Sequence, residues 1–403
     1  MGLELAGCQQ ARRRFPQIVY ADGFRLPARN GPIAGTRGRL VRVAAVAALL
    51  VLPWSAPPAR AAAPGVNVDL TWGISRRDID REMTFLRASN VRWVRMNVPW
   101  NGVEVQARGR YDWRFVATVD YAVAQVLGAG IRIVMPVADG VPYWASADPR
   151  RRVRGGRRLW NRFYRPRRFS DYGRFAGWVA RRYSRRGVHV FEVWNEPDLA
   201  QFWPSGPSPR RYAAMLRAAY GPIKRADRAS TVLLGGLYQN DDAFLRGVYA
   251  ARGRRFFDAV GDHSYPDGDP RRCWRDRPGH WSRRSLCGIA GVRAVMRAHG
   301  DGARAIWLTE FGWSTARGHT GSTDQARYIA AAMDRLGRDF PAVTAALVYN
   351  LRNDYWLGDD PRVTEANYGL LRTDFTPKPG YGGLVAASRA PGAGAFAATA
   401  GAR

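Results

Sequence analysis

The stretch VHVFEVWN, residues 188–195, is a mainly β-branched and aromatic run that ends in a polar side chain. Runs of this kind are typical of strands that are buried on both faces, as in a parallel sheet. Seven more runs predict strands of the same type, at residues 66–72, 91–98, 131–137, 231–237, 257–265, 304–313 and 345–351. The chain therefore has eight predicted strands.

Amphipathic segments separate these strands and predict helices, most clearly at residues 78–89, 115–130, 170–184, 208–226 and 322–337. Parallel neighbours need crossover connections, which are usually helices. Eight strands joined in this way favour an α/β fold, the (β/α)8 TIM barrel, as a single domain over residues 62–385. The sequence has no complete GxGxxG, GxxxxGK(S/T) or GxSxG pattern, which argues against dinucleotide-binding, P-loop and serine hydrolase folds.

The first 61 residues predict an N-terminal extension with a secretion signal. Arginines precede the apolar run VAAVAALLVL (43–52), and residues 59–61, Ala-Arg-Ala, have the spacing of a cleavage site. The run is too short for a permanent membrane span, unless the signal stays uncleaved as an anchor. We expect a bacterial, exported protein, secreted or associated with the cell envelope. Residues 386–403 are rich in alanine and glycine and predict a disordered tail.

The net charge is +30 over 403 residues, and all but two of the 63 basic residues are arginine, Lys224 and Lys378 being the exceptions. This preference is more simply explained by the base composition of a genome than by selection for polyanion binding. We therefore expect no nucleic-acid partner. We also expect a monomer.

Cys273 and Cys287 lie 14 residues apart in the loop-like stretch CWRDRPGHWSRRSLC. In an oxidising compartment this pair predicts a disulfide, whereas Cys8 lies within the signal segment. The sequence contains no CxxC or HExxH spacing, and we expect neither a metal nor another cofactor.

Two glutamates follow apolar strand sequences directly. Glu196 comes after the fourth predicted strand and Glu310 ends the apolar part of the seventh. The carboxyl ends of barrel strands converge on one face, where the active sites of such barrels lie. We expect the two carboxylates to face each other across a pocket, an arrangement that suits hydrolysis of a glycosidic bond.

The motifs WNEP (194–197) and TEFGW (309–313) resemble the acid/base and nucleophile motifs of clan A glycoside hydrolases, most closely the family 39-like and family 5-like members. These are retaining glycosidases on (β/α)8 barrels, and the resemblance runs over most of the chain. It includes, in order, VRWVRMNVPWNGVE, GRYDW, VPYWAS, FWPSGPSPRRYAAMLRAAYGPIKRAD, FDAVGDHSYP and YGLLRTDFTPKPGY. The resemblance implies an O-glycosyl hydrolase that cleaves a polysaccharide or oligosaccharide.

Residue roles follow from the same resemblance. Glu196 would be the general acid/base, Glu310 the nucleophile, and Asn195 would hydrogen-bond the sugar 2-hydroxyl. At strand ends, Arg95 and Tyr265 would keep the nucleophile ionised.

Further substrate-binding residues are implied by the resemblance. His263 would point into the site from the same strand as Tyr265. Aromatic substrate contacts are expected at Trp144, Trp194, Trp313, Tyr349 and Trp356, of which Trp313 or Trp356 would replace the sugar-stacking tryptophan that the family often carries at the end of the eighth strand. The chain departs from the family at the eighth strand, where a W-Y-D-L-like pattern is common and this sequence has Val348 and Asn350 instead.

The segment 150–168 contains ten arginines, three aromatic residues and no acid. It follows the third strand, on the face where the active site is expected. The segment is either a solvated loop that reflects the arginine preference of the chain or a binding surface, which would predict an acidic or phosphorylated glycan as substrate. Two alternatives remain open. One is a carbohydrate-binding barrel without turnover, and the other is a polyanion-binding protein that uses this segment.

Overall fold

The computed structural model describes residues 62–71, 73–137, 140–148 and 162–390. Eight parallel strands close a barrel in the order β1-β10-β9-β6-β5-β4-β3-β2. The barrel strands are β1 Ala63–Asn67, β2 Trp93–Arg95, β3 Arg132–Val137, β4 Val190–Val193, β5 Thr231–Tyr238, β6 Ala259–Ser264, β9 Ile306–Phe311 and β10 Val343–Val348. The predicted (β/α)8 barrel is confirmed.

Nine helices are found in the described part of the chain. They are α1 Arg76–Ser89, α2 Trp100–Val103, α3 Trp113–Gly128, α4 Phe169–Ser184, α5 Pro209–Ala226, α6 Asp242–Ala250, α7 Ile289–Ala298, α8 Ser322–Asp339 and α9 Pro379–Arg389. Several begin at side-chain caps: Ser75 accepts from the Asp78 N–H, and Asp112 accepts from the Arg114 and Phe115 N–H groups.

The first strand begins three residues earlier than the sequence predicts. The pairing of Gly65 with Trp93 and of Asn67 with Arg95 fixes its register against β2. Beyond Asn67, Val68 and Leu70 stay buried although the strand has ended, which explains why the apolar pattern extended the prediction to residue 72. An alternating apolar pattern indicates which side chains are buried, whereas the ends of a strand depend on hydrogen bonds to the neighbouring strands.

The C-terminal boundary also differs. Helix α9 continues to Arg389, four residues past the predicted boundary at 385, because Leu384 and Ser388 are buried on one face of the helix. Residues 391–403, most of the predicted tail, lie outside the described residues. The N-terminal extension, residues 1–61, lies outside them too.

The core has two parts. One lies between the barrel and its helices. The other fills the interior at the amino ends of the strands, where the Trp93 and Trp307 rings meet edge to face at 4.8 Å. Its members are Ala63, Trp93, Val134, Val190, Leu233, Ala259, Trp307, Ala345 and Leu347. This apolar floor leaves the opposite end of the barrel open for polar groups.

A small antiparallel hairpin follows β6, formed by β7 Arg275–Arg277 and β8 His280–Trp281. Cys273 and Cys287 form a disulfide around it, so the predicted pairing is confirmed. Arg335 of α8 donates to the Pro270 carbonyl oxygen at 2.7 Å beside this disulfide. Within the described ranges, no helix is long and apolar enough to span a bilayer.

Candidate active site

A cleft of about 410 Å³ opens at the carboxyl ends of the barrel strands. Nearly every barrel strand supplies a residue to it, directly or just past its end. The strand-end lining includes Asn67, Arg95, Asn195, Glu196, Tyr238, Tyr265, Glu310, Tyr349 and Asn350. The fold therefore collects in one place most of the polar residues that the sequence singled out.

The two predicted catalytic glutamates meet in this cleft. Glu196 and Glu310 are 5% and 6% exposed, and carboxylate oxygens from the two residues lie within 4.8 Å of each other. Retaining glycosidases place their two carboxyl groups roughly 5–5.5 Å apart. The separation therefore suits direct attack on a sugar by one of the carboxylates.

Glu310 is surrounded by donors. Arg95 Nη1 donates to Oε1 at 2.6 Å, and the Tyr265 hydroxyl donates to Oε2 at 2.5 Å. Burial and the charge of Glu310 raise the pKa of Tyr265 well above its usual range, so its hydroxyl keeps the proton that it donates. Burial raises the pKa of Glu310 to about 7, and Arg95 and Tyr265 oppose this rise.

Arg95 is itself held by a second carboxylate that the sequence did not single out. Glu192 is fully buried inside the barrel and accepts from Arg95 Nε at 2.6 Å. It also accepts from the Thr309 hydroxyl at 2.8 Å and the Gly236 N–H at 2.9 Å. A glutamate within an apolar strand was the available signal, since a buried charge needs a partner.

Asparagines complete the environment of Arg95. Asn195 Oδ1 accepts from Nη2 at 2.8 Å, and Asn67 Oδ1 accepts from Nη1 at 3.2 Å. Asn67 Nδ2 donates to the Thr309 carbonyl oxygen at 2.9 Å, which fixes the orientation of its amide. The Arg95 guanidinium thus fixes the positions of two side chains relative to each other: Asn195, predicted to bind the sugar 2-hydroxyl, and Glu310, the predicted nucleophile.

Glu196 has a sparser environment. Its Oε1 lies 2.8 Å from Nδ1 of His263, which is fully buried. Burial, followed by the charge of Arg95, lowers the pKa of His263 well below its usual range, so the ring is neutral. Burial, followed by the charge of Glu310, raises the pKa of Glu196 well above its usual range.

The His263 ring lies against a gap in the neighbouring strand. A Cβ atom at Gly236 of β5 would overlap the imidazole at Nε2. Nε2 has no hydrogen-bond partner among the described residues. Glycine at this position therefore leaves the space in which the ring presents Nδ1 to Glu196.

Glu196, His263 and Glu310 form the one group of three His, Cys, Asp or Glu side chains in the described part of the chain whose ligand atoms are close enough to hold a metal. Arg95 lies 2.6 Å from Glu310, and its positive charge would repel a cation at this position. The donor set is better suited to a carboxylate pair that shares protons.

The backbone at the WNEP motif is unusual. Trp194 and Glu196 have φ values of 73° and 40°, in the left-handed region that non-glycine residues rarely adopt. The Trp194 indole donates to the Phe202 carbonyl oxygen at 3.1 Å and fixes the turn. Such a conformation costs of the order of 1–3 kcal/mol per residue and is found preferentially at functional sites. Here the turn directs Asn195 and Glu196 into the cleft.

Three predicted aromatic contacts are absent from the described cleft lining. Trp194 is buried against Trp203. Trp313 is buried and donates to the Gly268 carbonyl oxygen at 2.8 Å, while Trp144 donates to the Glu104 carbonyl oxygen at 2.9 Å. Each indole thus buries a large apolar surface and satisfies its N–H within the protein, which sequence position alone does not reveal.

Two other predicted aromatic residues, Tyr349 and Trp356, line the cleft, and Trp356 is 53% exposed. At the departure from the family pattern, Val348 is buried in β10, the Tyr349–Asn350 peptide is cis, and Asn350 lines the cleft. Tyr368, which the sequence did not single out, packs edge to face on Tyr349 at 5.6 Å. Tyrosine rings thus form the wall at the end of the eighth strand.

The arginine-rich segment is only partly described. Residues 149–161 lie outside the described residues. Of the remainder, Arg162 and Phe163 line the cleft, and Phe163 packs on Phe202 at 4.9 Å.

The sequence matches no protein-family model and no curated protein. Solved structures share its fold. A family 39 glycoside hydrolase from Bacteroides cellulosilyticus WH2 superposes with a TM-score of 0.64 at 21% identity, over 82% of this chain and 64% of its own. A monomeric β-xylosidase from Caulobacter crescentus CB15 gives 0.58 at 20% identity, over 81% and 69%.

A GH5_18 protein from Streptomyces cattleya, solved with GlcNAc, gives a TM-score of 0.60 at 20% identity, over 82% of this chain and 80% of its own. The chain thus spans slightly less than two thirds of the family 39 protein from Bacteroides and more of the other two. These structures confirm the resemblance to families 39 and 5 in the fold.

Proposed function

We propose that this chain is a retaining glycoside hydrolase in which Glu310 is the nucleophile and Glu196 the general acid/base. One observation carries the proposal: the two buried carboxylates lie within 4.8 Å of each other at the mouth of the barrel. Their surroundings differ as the reaction requires. Cationic and hydroxyl donors stabilise the charge of Glu310, whereas burial beside a neutral imidazole favours the protonated form of Glu196.

The first step of the reaction forms a glycosyl ester. A Glu310 oxygen attacks the anomeric carbon as the bond to the glycosidic oxygen breaks, and Glu196 gives its proton to that oxygen. Loss of the negative charge on Glu310 then lowers the pKa of Glu196, because that charge had helped to raise it. Glu196 can now take a proton from water, which attacks the ester and releases the sugar with its configuration retained.

The substrate that we propose is a β-linked polysaccharide or oligosaccharide. The solved structures with this fold include a β-xylosidase and an exo-β-1,4-mannosidase. Export is supported by the disulfide between Cys273 and Cys287, a bond typical of oxidising compartments. The acidic substrate remains a prediction, because most of the arginine-rich segment lies outside the described residues. The monomeric state also remains a prediction.

A panel of aryl β-glycosides tests the activity, with the product anomer followed by NMR. We expect retention, and a Glu310→Gln variant that loses on the order of 10⁴-fold in kcat because the nucleophile is gone. Asp324→Asn, on the exposed face of α8, is the matched control and keeps its activity. Inversion of configuration, or full activity of Glu310→Gln, would contradict the proposal. Sugar binding without turnover by the unaltered chain would favour the non-catalytic alternative.

A further inference from the structure

The described lining of the cleft is acidic, whereas the chain as a whole is basic. This lining carries five carboxylates and two arginines, in a protein of net charge +30. Arg95 is already paired with both Glu192 and Glu310, and the Arg162 guanidinium lies 4.8 Å from the centre of the Phe163 ring. The carboxylates are Asp69, Glu196, Glu310, Asp354 and Glu365.

Two of these acids are not part of the proposed mechanism. Asp354 and Glu365 lie in the segment between β10 and α9. Asp354 accepts a long hydrogen bond of 3.3 Å from Asn350 Nδ2. Among the described residues, no arginine, lysine or histidine nitrogen lies within 4.0 Å of either carboxylate, a separation that would count as a salt bridge.

Two other buried acids in this arginine-rich chain have arginine partners. Glu82 pairs with Arg352 at 2.9 Å, and Glu104 pairs with Arg174 at 2.5 Å. Asp354 and Glu365 differ from Glu82 and Glu104 in this respect, because no basic side chain of the described residues pairs with them.

The negative charges of these carboxylates repel one another. Burial, together with the charges of Asp69 and Glu365, raises the pKa of Asp354 to about 7. Burial also raises the pKa of Glu365. A ligand with a positive charge would offset this repulsion, whereas a neutral hydroxyl group would only supply a hydrogen bond.

The neighbouring groups also favour a ligand that donates hydrogen bonds. Asn350 is 6% exposed and lines the cleft, and its Oδ1 has no hydrogen-bond partner in the described part of the chain. A protonated amine has three N–H donors and no acceptor. Beside these acceptors, Trp356 and Leu357 are 53% and 37% exposed in the cleft lining and offer an apolar surface for a sugar ring.

We propose that Asp354 and Glu365 bind the ammonium group of an amino sugar, so that the glycan taken by this cleft is cationic. The inference rests on the proposed function for its placement in a substrate cleft. It opposes the acidic substrate predicted from segment 150–168. The two substrate classes are distinguished by a binding experiment.

The experiment is calorimetry on the full chain carrying Glu196→Gln, which prevents turnover and mimics the protonated acid. The probes are a glucosamine hexasaccharide, its fully N-acetylated counterpart and a galacturonate hexasaccharide. They are compared from mildly acidic to neutral pH, because the amines are protonated at acidic pH whereas Asp354, with a pKa of about 7, ionises towards neutral pH. We expect the glucosamine oligomer to bind at least about tenfold more tightly than either of the others.

Added substitutions locate the preference. Asp354→Asn and Glu365→Gln should each reduce it severalfold and together abolish it, while Asp354→Glu, which keeps the charge, should retain most of it. Asp276→Asn, on the exposed strand β7, is the control for a change in overall charge and should leave the preference intact. Thermal unfolding of each variant shows that the fold is retained.

Equal binding of the acetylated oligomer, tighter binding of the galacturonate oligomer, or a preference that survives the double substitution would overturn the inference. These failures are distinct from failure of the proposed function. A chain that binds glucosamine oligomers but hydrolyses no glycoside keeps the amine site and loses the activity. A chain that hydrolyses neutral glycosides without an amine preference does the reverse.

Discussion

The cleft presents the same side chain in two different surroundings. Around Glu310, a guanidinium group and a phenol hydroxyl donate to the carboxylate, and Glu192 holds the guanidinium from behind. Around Glu196 there is one neutral imidazole, and burial dominates. The comparison shows that the surrounding residues determine the role of each glutamate: those around Glu310 stabilise a negative charge, and those around Glu196 favour a bound proton.

Among the changes around the two glutamates that leave the nucleophile in place, the largest effect is expected from removing the proton donor. Glu196→Ala should reduce the rate on glycosides with poor leaving groups by about 10³- to 10⁴-fold, the upper part of the range for general acid–base catalysis. Activated dinitrophenyl glycosides need little protonation and should be affected far less in the glycosylation step. Steady-state kinetics across a leaving-group series measures this contrast. Equal losses for all leaving groups would break the proposed division of roles.

A loss of about a hundredfold in kcat is expected from a change in the surroundings of Glu310. Tyr265→Phe removes the 2.5 Å hydrogen bond to Glu310 and should lower kcat by about 10²-fold, as for other single donors to a reacting oxyanion. That hydrogen bond lowers the pKa of Glu310, so its loss should move the acid limb of the kcat/KM profile to higher pH. An unmoved limb would show that Tyr265 does not act on the ionisation of the pair.

A change behind Arg95 should move the same limb in the opposite direction. The charge of Glu192 raises the pKa of Glu310, so Glu192→Gln should move the acid limb to lower pH, with a loss in kcat of about tenfold. The pH profile separates this electrostatic role from a structural one, because disrupted packing has no reason to shift the limb in this direction. Glu192→Asp keeps the charge, so the acid limb of its kcat/KM profile should lie at the same pH as in the unaltered protein.

The smallest effect is on stability. Glu196 and Glu310 both have folded pKa values above the unfolded value of 4.5, so the folded chain binds more protons than the unfolded chain as the pH rises past that value. Their contribution is therefore present in full at acid pH and declines through the folded pKa, near 7 for Glu310. We expect the melting temperature to fall between pH 5 and pH 8, by roughly 2–4 °C for each kcal/mol.

The control for this stability effect is the same substitution that mimics the protonated acid. Glu196→Gln cannot ionise, so its melting temperature should fall less over the same pH range. An equal fall in both proteins would assign the effect to other buried acids, such as Glu82, whose pKa burial raises to about 8.

The sequence reveals much of this site because strands carry positional information. Apolar runs located the barrel strands, and the rule that such barrels react at the strand ends placed Glu196 and Glu310 together. The structure brings Arg95, His263 and Tyr265 to the same place. These residues share one property: each is polar and lies at or near the end of an apolar strand.

The remainder depends on contacts between distant parts of the chain. Glu192 gains its role from Arg95, 97 residues earlier in the sequence, and no local pattern specifies that pair. The tryptophans show the converse. Trp194 and Trp313 belong to the glutamate motifs but lie past the ends of β4 and β9, where their rings turn into the core and donate to the Phe202 and Gly268 carbonyl oxygens. Proximity in the sequence therefore overstated their part in the cleft.

The bare backbone at Gly236 has a consequence for sequence comparison. Because the imidazole of His263 fills the volume that any Cβ atom at this position would need, the two residues form one packing unit across β5 and β6. A homologous chain with a side chain at the first position must move or replace the histidine at the second. Covariation of this glycine–histidine pair would therefore identify barrels that keep the same acid geometry, even where the motifs around the glutamates have diverged.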